Sequence, residues 1–185
     1  MRLDDQLAFI LTIDKLKNVV RRTLLTDASR NENSSEHSWH TAIMAGLLAE
    51  YAAGPVDANR AMQMMLVHDV VEVDAGDTYA YDAAGNATKV ARELAAADRI
   101  FGLLPPDQRD HFRALWDEFE EMRTPESRYA NALDRAQAAL LNFHSSASDR
   151  IISRNLRAKV RLLVRKTLRA SCWVIVEAPW TLAPR

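Results

Sequence analysis

The 185-residue chain has one cysteine, Cys172, which excludes an intramolecular disulfide and any zinc site built on paired cysteines. A single cysteine is compatible with the cytosol. Glycine and proline are scarce, at five and six, and few turn formers favour long helices over a many-stranded fold. Neither sign of charge dominates: 24 Lys and Arg face 25 Asp and Glu, for a net charge of −1. That balance lacks the basicity of a nucleic-acid-binding chain. The apolar run from Leu7 to Ile13 is short and flanked by acids, so it is neither a secretory leader nor a membrane span. These absences together predict a soluble cytoplasmic protein with no membrane partner.

The hydrophobic content is 48%, enough for a real core in a chain of this length. The expected architecture is all-α: a single-domain helical bundle of about six to seven helices over residues 1–185, with its core at about 5–145. Helices are predicted from Asp4 or Asp5 to about Val19, from Ser34 or Ser35 to about Ala53, and from Asp57 through Glu72. Three more follow, from Thr88 to Phe101, from Pro105-Pro106 to about Met122, and from Pro125 to about His144. A last amphipathic helix at about 149–178 alternates Ile152, Leu156, Leu163 and Val164 with basic residues. Its spacing fits a solvated basic face, with the apolar stripe on the core or on a partner subunit, better than a nucleic-acid surface. Arg21, Arg22, Asp27, Ser29, Asn31 and Asn33 read as a polar loop, long enough to suggest a functional one.

Chemistry concentrates at Leu66-Val67-His68-Asp69-Val70-Val71-Glu72. Imidazole nitrogen and carboxylate oxygen are ordinary ligands of divalent metals, and neighbours near a helix end can share one ion. Glu72, four residues after His68, is placed one helical turn on, where a carboxylate can handle the proton of an activated water. His37 lies on the inward face of the second helix with Thr41, Met44 and Leu48. It begins its helix while His68 ends the next, so antiparallel packing across a short turn brings both imidazoles to one end. Asp134 lies beside the apolar stripe of the sixth helix, where a free carboxylate is costly without an ion or a cation.

The segments Asn33-Ser34-Ser35-Glu36-His37-Ser38, His68-Asp69-Val70-Val71-Glu72-Val73-Asp74-Ala75-Gly76-Asp77 and Ala132-Leu133-Asp134 resemble the HD-domain metal-dependent phosphohydrolases, most closely the branch containing the 5′-deoxynucleotidases. The resemblance covers roughly residues 5 to 145. It implies an all-α fold and one divalent ion held by His37, His68, Asp69 and Asp134. Nitrogen and oxygen donors without thiolate suit Mn, Co, Fe, Ni or Zn and do not choose among them. The family pattern further implies Arg22 as a phosphate-binding guanidinium, with Arg21 its rival on physical grounds, and Asp77 near a sugar hydroxyl. Thr23 follows Arg22 where the nucleotidase branch has tryptophan, a departure at the sugar pocket. His40, three residues after His37, reads as structural or pocket-lining, and His111 is the one histidine between His68 and Asp134, which favours one metal over two.

The resulting expectation is hydrolysis of a phosphate monoester on a small phosphorylated metabolite, a nucleoside 5′-monophosphate leading. Glu72 is the catalytic residue, Arg22 and Asp77 bind substrate, and the chain forms a homodimer. Phosphodiester or pyrophosphate hydrolysis, or non-catalytic sensing of a metal or nucleotide, are the alternatives.

Overall fold

The computed structural model describes residues 1–78 and 83–145, so the C-terminal helix expected at 149–178 lies outside the described residues. Within them the protein is a helical bundle with one two-stranded sheet. Helix α1 (Arg2–Ile13) runs into a 3₁₀ turn, Asp14–Asn18, instead of continuing to Val19, and buries Phe9. Among the described residues no helix is long and apolar enough to cross a membrane.

The expected polar loop is in fact a hairpin. Strands β1 (Val20–Leu24) and β2 (Asn31–Asn33) pair antiparallel, with Val20 opposite Asn33, Leu24 opposite Asn31, and an irregular register between. At the tip Asp27 accepts hydrogen bonds from the Ser29 amide (3.0 Å) and hydroxyl (2.7 Å), and Ala28 takes a φ of 57°. The hairpin delivers the chain directly into α2 (Ser34–Leu48). Asn33 caps that helix by accepting from the Glu36 amide at 2.9 Å, while Glu36 accepts from the Asn33 amide at 3.1 Å. This reciprocal box fixes the start of the helix at Ser34, as expected, with Asn33 as its cap.

Asp57 caps α3 (Ala58–Val67), accepting from the amides of Asn59 and Arg60. The expected continuous helix through Glu72 breaks after Val67. Val70, Glu72 and Val73 donate to carbonyls three residues back, and the chain restarts as the single turn α4 (Glu72–Ala75), ended at Gly76 with φ 72°. Helices α5 (Ala83–Phe101), α6 (Pro106–Glu121) and α7 (Pro125–Ser145) complete the bundle, α5 starting ahead of Thr88. Tyr129 of α7 donates its hydroxyl to the Ala45 carbonyl at 2.9 Å, tying α7 to α2.

Two apolar clusters form the core. One gathers Met44, Met64, Met65, Leu115, Phe119 and Leu133; the other Phe9, Val67, Val70, Ile100, Phe101 and Trp116. The break after Val67 falls at the seam between them, so His68 and Asp69 sit where apolar packing leaves room for polar groups.

Candidate metal centre

Two imidazoles meet at this seam. The rings of His37, in the first turn of α2, and His68, at the end of α3, lie 5.4 Å apart between centroids. Both are buried, as are Asp69 and Glu72. His68 Nδ1 lies 2.8 Å from the Met65 carbonyl, which requires it to donate, and His37 Nδ1 lies 3.1 Å from Gln137 Oε1. His68 Nε2 is therefore left as a lone-pair acceptor, and Nε2 of both rings is buried without a hydrogen-bond partner.

The Nε2 atoms face carboxylates. His37 Nε2 is 2.9 Å from Asp134 Oδ1 and 4.0 Å from Asp69 Oδ2; His68 Nε2 is 3.1 Å from Asp69 Oδ1. None of these approaches has hydrogen-bond alignment. One donor atom each from His37, His68 and Asp69 falls within 4.8 Å of the others, a spacing that could hold a metal ion. Imidazole nitrogen and carboxylate oxygen converging in a buried site are the donors a dication takes, and it would replace the proton that the carboxylates draw to His37, so the donor set fits such an ion.

The flanking groups come from the hairpin and from α4. Arg21 on β1 is 14% exposed. Its Nη1 donates to Asp69 Oδ2 at 2.8 Å, and Nη2 lies 3.9 Å from Asp134 Oδ1. Arg22, next along the strand, is exposed on the opposite face. Of the two rivals it is thus Arg21 that the fold brings to the cluster. Glu72 accepts a hydrogen bond from the Ser34 hydroxyl at 2.6 Å, deep in the protein. Asp77, half-buried beyond Gly76, lies within the field of Arg21 and Asp69.

Burial and mutual charge shift these groups apart. Burial pulls the His37 imidazolium down, but its contacts with Asp134 and Glu32 and the charge of Asp69 outweigh that and raise its pKa. Burial lowers His68. Burial opposes ionisation of Asp134 too, yet His37, His68 and Arg21 hold its carboxyl well below the usual range. Glu72 moves the other way: burial and the charge of Asp69 raise it, only partly offset by the Ser34 hydroxyl and Arg21. One carboxyl shifted toward its ionised form and another toward its protonated form is a common division of labour at catalytic sites.

Three participants had no signal strong enough to single them out in the sequence. Ser34 read as a helix start, and Glu32 was hidden in a polar stretch taken for a loop. Gln137 stands three residues after Asp134 on α7, a spacing that puts it on the same face.

The chain matches the family model for the HD domain over residues 13–164. It is 30% identical over 136 residues to the 5′-deoxynucleotidase HDDC2 of Danio rerio, a match covering 73% of this chain and 66% of that protein. The Homo sapiens HDDC2 is likewise 30% identical, with 72% and 65% covered. The chain thus spans slightly less than two thirds of the length of these relatives. A solved structure from Magnetospirillum magnetotacticum MS-1, described as a predicted metal-dependent phosphohydrolase, is 46% identical and superposes with a TM-score of 0.75, covering 92% of this chain and 90% of that one.

Proposed function

Since the chain belongs to the HD-domain family, we propose that this centre hydrolyses the phosphate monoester of a small metabolite, a nucleoside 5′-monophosphate being the leading substrate. The observation that carries the reading is the pair of buried, partnerless Nε2 atoms facing Asp69 and Asp134 beside the Arg21 guanidinium. In it, His37, His68, Asp69 and Asp134 hold one divalent ion, of the set Mn, Co, Fe, Ni or Zn. Such an ion supplies Lewis acidity, acidifying water and neutralising phosphoryl charge.

The remaining steps belong to the chain's own side chains. Arg21 presents a planar guanidinium whose Nη2 comes no nearer to Asp134 than 3.9 Å, and grips phosphoryl oxygens with it while Asp69 orients its Nη1. This assigns to Arg21 the role that the family pattern placed on Arg22. Glu72 is the proton handler. Ser34 donates to its Oε2, which leaves Oε1 as the atom that carries the proton toward the leaving 5′ oxygen. Asp77, whose carboxyl feels the charge of Arg21, is assigned to the sugar hydroxyl. The two HDDC2 relatives are named 5′-deoxynucleotidases; Thr23 in place of the branch's tryptophan makes the ribo-versus-deoxy preference of this chain the property to measure. A homodimer is part of the same proposal.

The deciding experiment is phosphate release from ribo- and deoxynucleoside 5′-monophosphates by protein stripped of metal and reloaded with each ion in turn. Release that requires an ion and is lost in His68→Ala and Glu72→Ala is expected. A folded, metal-loaded wild type that releases no phosphate from any of them would end the nucleotidase reading. Binding without turnover would favour a sensor instead.

A further inference from the structure

Behind the His37 ring lies a polar network that the reaction as described does not use. Glu32, on β2, is 2% exposed, and Gln137, on α7, is fully buried. Gln137 Nε2 donates to Glu32 Oε1 at 2.7 Å and lies 3.2 Å from His40 Nδ1, while Gln137 Oε1 is 3.1 Å from His37 Nδ1. Glu32 Oε2 approaches His37 Nδ1 at 3.5 Å and Arg21 Nε at 3.9 Å, neither a hydrogen bond.

An amide side chain is nearly symmetric in shape and can reverse at little steric cost. Here the charge of Glu32 decides its orientation. A carboxylate accepts only, so the amide must turn its NH₂ toward Glu32, and its oxygen then faces His37. That oxygen also only accepts, so His37 Nδ1 must carry a proton, and Nε2 is the nitrogen left for Asp69 and Asp134. His40 closes the network by taking the second amide hydrogen. A buried carboxylate three bonds of logic away from the centre thus settles which ring nitrogen is presented there.

We propose that Glu32 is a positioning residue: acting through the Gln137 amide, its carboxylate holds the His37 ring with Nδ1–H turned away from the carboxylate cluster and Nε2 turned into it. The proposal rests on the reading of the cluster as a metal centre for its consequence, though not for its geometry. Groups that orient a ligating histidine typically change metal affinity by roughly 10- to 100-fold when lost.

The test uses the full chain with ¹⁵N-labelled histidine. Two quantities are measured: the His37 Nδ1–H resonance in metal-free protein, and Mn²⁺ or Zn²⁺ affinity by competition with a chromophoric chelator. In wild type the Nδ1 proton should exchange slowly with solvent. Glu32→Gln lets the amide at 137 reverse, so that proton should lose its protection and affinity should fall about 10- to 100-fold. The exchanged pair Glu32→Gln with Gln137→Glu returns a carboxylate to His37 and should restore both. It leaves Arg21 without the charge of Glu32, so recovery assigns the effect to His37 and not to Arg21. Gln137→Met, which cuts the relay and leaves Glu32 in place, should reproduce the losses and serves if Glu32→Gln does not fold. Unchanged protection and affinity in folded Glu32→Gln or Gln137→Met, or a folded exchanged pair that recovers neither, overturns the proposal. If wild type binds neither ion, the phosphohydrolase reading fails, while the Nδ1 proton still decides the role of Glu32.

Discussion

Replacing Arg21 with methionine separates two roles that activity alone would merge. Arg21 is the cation that the structure sets against the anionic cluster, 2.8 Å from Asp69 Oδ2 and 3.9 Å from both Asp134 and Glu32, with 14% of its side chain exposed. Methionine keeps most of the volume and removes the charge, leaving buried carboxylates uncompensated. Breaking a buried ion pair from one side costs roughly 3–5 kcal/mol; with partial exposure, about 3 kcal/mol is the working figure. For a chain of this size that corresponds to a fall in Tm of roughly 6–12 °C. A bound dication would compensate the same carboxylates, so saturating Mn²⁺ should remove most of the deficit and should bind the variant at least as tightly as wild type. Phosphate release should nevertheless stay low, because the guanidinium that grips the substrate is gone. The assay is calorimetric melting of wild type, Arg21→Met and Arg22→Met, each in chelator and in excess Mn²⁺. Arg22→Met changes an exposed residue on the other face of β1 and should lose clearly less than Arg21→Met, with no recovery in Mn²⁺. An Arg21→Met deficit of the same size with and without metal, or an equal deficit in Arg22→Met, would refute the reasoning.

Three further outcomes are expected. Tyr129→Phe leaves the buried Ala45 carbonyl without the hydroxyl that reaches it at 2.9 Å, and should cost about 1–3 kcal/mol in urea unfolding. Met64→Ala opens a cavity at a fully buried position between α2, α6 and α7 and should cost roughly 2–5 kcal/mol, read by the same denaturation curves. Arg2 pairs with Asp107 through two bonds of 2.7 and 2.8 Å and holds that exposed carboxyl down to about 2. Because the folded value is depressed, the pair's contribution is fully present above the ordinary carboxylate value of about 3.9 and is lost as pH falls through about 2. The small Tm gap between wild type and Arg2→Ala should therefore be constant from neutral pH to about pH 4, shrink below it, and shrink also in 1 M salt, where surface charge is screened to within about 3 Å.

How much of this was legible in the sequence follows from the range of the forces involved. Helix existence is written in local periodicity and capping, so α2, α3, α6 and α7 and their inward faces could be read, and with them the meeting of His37 with His68. The helix break could not: Val70 and Val71 continue an apolar pattern, and it is their packing against α5 and α6 that favours the tighter turn after Val67. The hairpin was missed because Asn31, Glu32 and Asn33 have neither the β-branched bulk nor the alternation that mark a strand. That single omission hid both which arginine faces the centre and the burial of Glu32. Gln137 was missed for a different reason. A glutamine on a helix carries no signal of burial until the carboxylate it bonds, 105 residues earlier, is known to lie beside it.

The hairpin also makes the wall of the centre unequally tolerant of a change in chain length. In a strand a slip of one residue exchanges inward for outward side chains. In β1 such a slip would bring Arg22 inward as Arg21 turned out, and one guanidinium would replace another. In β2 the same slip would offer the carboxamide of Asn31 or Asn33 where Glu32 had been, and would also detach Asn33 from the start of α2. A one-residue insertion ahead of the tip is therefore expected to leave a cation on the wall, whereas one after it removes the anion and unseats the helix that carries His37.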